Sequence, residues 1–520
     1  MKLESGTNRL EFLRWVACAA TLLFSAVGIQ GLPVAPGPAG NTPPGSQASD
    51  KTPHPLDGAR SAALTSDRGR PNIVYILADD LGWADVGYHG PDIKTPHIDQ
   101  LAAAGARLES FYVMPVCTPT RAALMTGRYP IRYGLQFNVL RPASQHGLPV
   151  EERTLPQALH EAGYETAICG KWHLGHAKPE LLPLRRGFDH QYGLFLGMCD
   201  YFTHMEGGAF DWHRNDKVCR DEGYTTHLIA KEAIRLIEQR DQRKPLFLYL
   251  PFNAVHGPIQ VPESYGKPYG HLTGQRRIYA GMVAAMDEGI GQVLAALEKE
   301  GLGGNTLVIF SSDNGGLIGK GEPAASNGPL RDGKGSLYEG GTRVPAFATW
   351  PGRIPAGTIV KEPLHIVDWY PTLLKLAGAP LEQKLPIDGR DAWATITDGR
   401  PSPHEALLLN TVGRMGAIRA GDWKLLRNAL TAEGEDPEGA AHKKNASKEE
   451  RRKKNAGPDV FELFNLAQDP CEKTNLAAQQ PDKVRDLSGR LEAFARAAVP
   501  PTLSRKPEGF KTPKVWGEFD

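Results

Sequence analysis

Four short runs of almost unbroken apolar character punctuate the chain: NIVYILADD from Asn72, ETAICGKWH from Glu165, PLFLYLPF from Pro245 and TLVIFSSDN from Thr306. Their Val, Ile, Leu and aromatic content predicts strands covered on both faces, because a strand with one wet face alternates instead. Between them, HIDQLAAAGARL, TLPQALHEAG and the stretch from Tyr279 to Leu297 repeat apolar residues at helical spacing. Strands alternating with helices predict an α/β fold with a large, mostly parallel central sheet and helices on both faces, over residues 71–400. Ligands in such sheets bind beyond the carboxyl ends of the strands. After about His404 the pattern shifts to short alternating runs, MGAIRAGDWKLLR and DVFELFNL, and closes on a charged helix around Asp482 to Ala497. This predicts a C-terminal subdomain over 401–520, a small antiparallel sheet with a helix.

The chain ends read differently. Lys2, Arg9 and Arg14 precede an apolar run from Trp15 to Ile29, shorter than the ~20 residues that span a bilayer. It suits a secretory signal over 1–30, with a retained N-terminal membrane anchor as the alternative. Seven prolines between Gly31 and Gly58 predict a disordered Pro/Gly-rich linker over 31–70. Near the other end, an acidic block turns basic without apolar periodicity, which predicts a mobile charged loop at about 433–456. With 60 basic against 59 acidic residues the net charge is +1, so the broad basic footprint of a nucleic-acid binder is missing. Neither nucleic acid nor stable membrane insertion is expected, and the signal implies a secreted or periplasmic protein. Six cysteines in 520 residues are too few for a disulfide framework.

Two strands end in acids. Asp79 and Asp80 follow the first, and Asp313 with Asn314 follows the last. If these strands are parallel neighbours, their ends meet and offer three carboxylates and an amide oxygen, hard donors that select Ca²⁺ or Mg²⁺ over zinc. One Asp pair after a strand is ordinarily a turn or helix cap; two such ends point to a metal. In CTPTRAALMTGRYP, Pro119 fits the first turn of a helix, so Cys117 stands at its N-terminus and Arg121 about one turn on. Backbone N–H groups and a guanidinium make that end an anion site, while a plain buried cysteine is the structural alternative. Cys199 and Cys219 flank a loop with His204, Trp212 and His213; the pair is a candidate bridge, and the rings are surface decoration or a sugar subsite.

Cys117-Thr118-Pro119-Thr120-Arg121, with Thr126-Gly127-Arg128 behind it, resembles the sulfatase signature Cys-x-Pro-x-Arg followed by Thr-Gly-Arg. The likeness runs from about Pro71 to FELFNLAQDPCEKTNLA, and in PLRDGKGSLYEGG it is most like the arylsulfatase B group, which acts on N-acetylgalactosamine 4-sulfate. It implies an alkaline-phosphatase-like fold and a sulfuric ester hydrolase acting on a sulfated sugar or aryl sulfate. It also implies that a formylglycine-generating or equivalent maturation enzyme converts Cys117 to formylglycine. One Ca²⁺, with Mg²⁺ second, would be held by Asp79, Asp80, Asp313, Asn314 and the modified Cys117. Gly170-Lys171-Trp172-His173 resembles the family block that gives a lysine and a histidine to the sulfate site, and His256 and Lys334 correspond to the second histidine and lysine.

The implied catalytic set is therefore Cys117, Arg121, Lys171, His173, His256 and Lys334. By the same likeness a hydroxyl of the formylglycine hydrate attacks sulfur, His256 or Lys334 protonates the leaving alcohol, and His173 takes the proton that lets sulfate depart. Alternation along an extended strand would turn Lys171 and His173 to one side. Three carboxylates and a divalent cation sum to −1, and Arg121, Lys171 and Lys334 bring the total to +2, complementary to a singly charged sulfate ester. The competing readings are a phosphate or phosphonate ester hydrolase of the same superfamily and a non-catalytic sulfated-glycan-binding protein with Cys117 unmodified.

Overall fold

The apolar runs fold where their composition places them. A computed structural model describes residues 69–319, 324–429 and 458–519, all within the compact unit Ala62–Asp520. The signal, almost all of the linker and the charged loop lie outside the described residues. Asn72–Ala78, Glu165–Cys169, Leu246–Pro251 and Thr306–Ser312 are strands, and nearly every residue in them is buried.

They form the middle of a ten-stranded sheet. From one edge its order is Thr358–Val360, Ala106–Leu108, Ala346–Thr349, Thr306–Ser312, Asn72–Ala78, Leu246–Pro251, Glu165–Cys169, His190–Gly193, His213–Arg214 and Lys217–Val218. The five strands from Thr306–Ser312 to His190–Gly193 are parallel. Antiparallel pairs appear only towards the two edges. The mostly parallel sheet expected from the sequence is therefore present, with both faces covered at its parallel centre; beyond it, antiparallel pairs join the remaining strands, except that Thr358–Val360 pairs in parallel with Ala106–Leu108.

Alternation along the strands feeds two cores. Ile73, Tyr75 and Leu77 face one side, with Ala122–Met125 of the Cys117 helix and Trp369; Val74, Ile76 and Ala78 face the other. On that second side lie Thr225–Gln239 and Gly274–Lys299. Gly274–Lys299 is the one described helix long and apolar enough to cross a membrane, and it buries Met282, Val283, Met286, Ile290 and Val293 in this core.

The C-terminal part forms the expected antiparallel sheet of Leu407–Val412, Met415–Ala420, Trp423–Arg427 and Phe461–Asn465. Helix Pro481–Arg496 covers it through Leu487 and Leu491. Leu408, Ile418, Leu425 and Leu463 belong to the same core as Tyr75 and Trp369, so this sheet is built onto the main one.

Two side-chain expectations change. Cys199 and Cys219 are both unbridged, one in the second core and the other at its edge. The rings between them are interior rather than surface: His204 stacks on Trp212 at 4.7 Å and His213 on Phe195 at 4.1 Å, all buried.

Register carries the functional consequence. Ala78 pairs with Ser312 and Leu77 with Pro251, so three parallel strands end level and release Asp79-Asp80, Asp313-Asn314 and the Phe252–His256 segment at one edge. The neighbouring strand stops at Cys169, and Gly170 follows with φ 133°. A Cβ at Gly170 would stand 1.9 Å from the Pro251 carbonyl oxygen, so only glycine lets Lys171 leave the sheet here. Replacing Gly170 by Ala is expected to cost about 3 kcal/mol of stability. Chemical denaturation checks this, and an unchanged midpoint would contradict it.

Candidate active site

The sequence-predicted site residues arrive at this edge on six segments: Asp79-Asp80, the helix bearing Cys117 and Arg121, the turn bearing Lys171 and His173, His256, Asp313-Asn314 and Lys334. Asp79, Asp313, Arg121, Lys171 and Asn314 have no measurable exposure, and Asp80, Lys334, His173 and His256 are buried. Lys171 Nζ stands 2.5 Å from Asp79 Oδ2, and Lys334 Nζ 2.9 Å from Asp80 Oδ2. Arg121 donates through Nε and a terminal nitrogen to Asp313 Oδ2 at 3.1 and 2.8 Å, and through its other terminal nitrogen to the Lys171 carbonyl. Its guanidinium also lies 3.4 Å from Asp79 Oδ2. Arg121 therefore holds the acids in place, contacts that its position on the helix alone did not indicate. Burial would raise the Asp79 carboxyl, but Lys171, His256, Arg121 and Lys334 together hold it well below the ordinary range. Burial and the Asp79 charge push the Asp313 carboxyl up to about 6.

Cys117 begins helix Cys117–Thr126, as Pro119 in the first turn implied, and Gly127 ends it in the left-handed conformation. The thiol is packed against Val116 and Val139, and burial pushes it up to about 11. Thr126-Gly127-Arg128 is thus a helix cap, and Arg128 anchors it to Glu152 at 3.0 Å.

Lys171 and His173 reach the site by a route that strand alternation did not describe. The strand ends at Cys169, and His173 takes φ 57°, so turns orient both side chains. His173 Nε2 lies 2.8 Å from the Leu140 carbonyl. A carbonyl only accepts, so Nε2 carries the proton and Nδ1 keeps its lone pair. That Nδ1 is buried and has no hydrogen-bond partner. Burial, with Lys171 beside it, pushes the imidazole well below its ordinary pKa and keeps it neutral. Nothing in the sequence marked Leu140, since its contribution is a main-chain carbonyl. His256 donates from Nδ1 to the Gly257 carbonyl at 2.8 Å, and its Nε2 faces Lys334 Nζ at 3.1 Å. Tyr201, also unmarked by sequence, donates its hydroxyl to the His256 carbonyl at 2.8 Å. Asp80 and His173 are both non-glycine residues with positive φ at this one site.

The donor set fits a hard divalent cation. Asp79 Oδ1 and Asn314 Oδ1 are buried acceptors with no hydrogen-bond partner, a costly state that a cation relieves. Asp79, Asp80 and His256 also bring ligand atoms within 4.8 Å of one another, but both ring nitrogens of His256 already face protein groups, Gly257 and Lys334, so the set stays one of oxygen donors.

Comparison with known proteins gives the family. The family model described as Sulfatase matches residues 71–379. The chain belongs to the sulfatase family. Arylsulfatase J of Mus musculus is 39% identical over 474 residues, covering 85% of this chain and 78% of that protein. N-acetylgalactosamine-6-sulfatase of Sus scrofa is 32% identical over 479 residues, covering 85% and 89%. Among solved structures, Ps i-CgsB in complex with k-i-k-neocarrahexaose superposes with a TM-score of 0.74 at 33% identity, covering 85% of this chain and 96% of that one. The chain is accordingly a sulfatase enzyme.

Calcium at about a hundred times its dissociation constant is expected to stabilise this sulfatase by about 2.7 kcal/mol. The variant Asn314→Leu, which removes an unpartnered oxygen while keeping the shape, should lose most of that gain. Thermal unfolding in calcium and in chelator reads both, and identical transitions for the unaltered protein would contradict the site.

Proposed function

We propose that this sulfatase removes sulfate from sulfated carbohydrates, with Cys117 working as formylglycine and one calcium ion held by Asp79, Asp80, Asp313 and Asn314. The observation that carries the reading is His173 Nδ1, a buried lone pair without a protein partner beside Lys171. A neutral imidazole held in that tautomer is a proton acceptor aimed at something other than the protein.

When present, the modified residue would supply a hydroxyl nucleophile, and a cation held by Asp79, Asp80, Asp313 and Asn314 would supply Lewis-acid charge stabilisation. The chain's own groups do the rest. Lys171 and Lys334 bring positive charge to the sulfate, and burial keeps water from screening it. The Lys334 Nζ and His256 Nε2 pair, 3.1 Å apart, holds the proton that the leaving oxygen requires. His173 Nδ1 takes the proton released as sulfate departs. Arg121 touches Asp313, Asp79 and the Lys171 carbonyl, and so keeps acids and lysine in register.

A carbohydrate substrate is supported by the names of two relatives, an N-acetylgalactosamine-6-sulfatase and a structure holding a neocarrahexaose. Within that class, N-acetylgalactosamine 4-sulfate is the substrate favoured by the PLRDGKGSLYEGG segment, and an aryl sulfate is a surrogate. Export through the N-terminal signal, to the periplasm or outside the cell, would bring the enzyme to such glycans. Maturation requires the formylglycine-generating or equivalent enzyme. Mass measurement of the Cys117 peptide from protein made in its native host tests the reading. An aldehyde-bearing residue is expected, and an intact thiol would overturn the mechanism.

A further inference from the structure

The segment FELFNLAQDPCEKTNLA, noted in the sequence only for its likeness, holds one residue placed like a functional one. Glu472 is fully buried, and its backbone takes φ 53°, a conformation that residues bearing a Cβ adopt only where their surroundings enforce it. Its Oε2 accepts the Glu339 main-chain N–H at 2.6 Å, and its Oε1 lies 2.9 Å from Lys424 Nζ. Its carbonyl accepts from the Arg331 guanidinium at 3.1 Å. Lys424 Nζ stands equally close, 2.9 Å, to Glu339 Oε1, and Tyr112 donates its hydroxyl to Glu339 Oε2 at 2.8 Å.

Glu472 thus grips both ends of residues 331–339, and Lys334 lies between the grips. The inner side of the same segment is tied to the active site. Lys334 N–H donates to the Gly316 carbonyl at 3.2 Å, and Gly335 N–H to the Pro115 carbonyl, two residues before Cys117, at 2.8 Å. No slack separates the two sides: a Cβ at Gly340 would stand 2.2 Å from the Asp332 carbonyl oxygen, and one at Gly333 2.4 Å from that of Gly316. A displacement at Glu472 therefore moves the lysine rather than being absorbed.

We propose that Glu472 is a positioning residue for catalysis: with Lys424 it locks the 331–339 segment so that Lys334 Nζ stands between Asp80 and His256. This makes the C-terminal sheet, which supplies Lys424, part of the catalytic apparatus although it touches no reacting atom. The charge pattern explains why the lock is specific. Lys424 is buried between two carboxylates, so losing one charge leaves a network that must rearrange. The consequence for rate rests on the reading that Lys334 serves the sulfate site.

Glu472→Gln keeps the shape and the acceptor for the Glu339 N–H while removing the charge that faces Lys424; Glu472→Asp replaces it if that variant does not fold. In the full-length matured enzyme with phenyl sulfate, Glu472→Gln is expected to lower kcat about tenfold, and less than about twofold further in a Lys334→Ala background. Amide exchange across 333–339 should quicken at least about tenfold, with the rest of the chain unchanged. A folded Glu472→Gln enzyme with full kcat, a loss that multiplies undiminished with Lys334→Ala, or unaltered exchange across 333–339 would each overturn the proposal. Full activity of Lys334→Ala alone would instead overturn the catalytic reading of Lys334, and exchange would still decide the lock.

Discussion

Three carboxylates held out of water at one edge of a parallel sheet set the terms for the rest of this structure. Burying each ion costs several kcal/mol unless partners replace its hydration. Asp79, Asp80 and Asp313 meet that requirement through Lys171, Lys334 and Arg121, each delivered by a separate segment. Three negative and three positive side chains balance, yet Asp79 Oδ1 and Asn314 Oδ1 stay unpartnered, so the cluster is neutral overall and still short of donors at one point. A divalent cation would satisfy both oxygens and would leave the pocket positive, the sign that complements an ester sulfate.

The sheet is the means by which separate segments meet. Parallel neighbours ending in register deliver Asp79-Asp80 and Asp313-Asn314 side by side, and Glu165–Cys169, on the far side of Leu246–Pro251, delivers Gly170 and Lys171. The Cys117 helix lies on the face bearing Tyr75, which lets Arg121 reach under the acids while Cys117 stays at the helix start. The C-terminal sheet shares this core and reaches the site from outside through the segment carrying Lys334.

Much of this was legible in the sequence because the signals are local. Strands buried on both faces read as unbroken Val, Ile and Leu, an acid pair after a strand is visible as such, and a proline in the first turn locates a helix start. What was not legible depends on distant backbone. Strand alternation seemed to account for Lys171 and His173, but a glycine turn and a left-handed His173 orient them, and the Leu140 carbonyl sets the tautomer. The acidic partners of Arg121 were not legible because they lie 42 and 192 positions away in the chain. The rings between Cys199 and Cys219 read as surface because only packing reveals that His204 and His213 lie inside. Sequence likeness also marked the segment around Glu472 without giving it a task, since its partners, Glu339 and Lys424, come from elsewhere.

Position 117 at this balanced edge is where the proposed hydrolysis of singly charged sulfate esters must start. Initial rates on a matched pair, phenyl sulfate and phenyl phosphate, with the matured enzyme and its Cys117→Ala variant, test it most directly. Sulfate release should dominate and vanish in the variant. Faster phosphate cleavage, or sulfate release that survives the substitution, would contradict it.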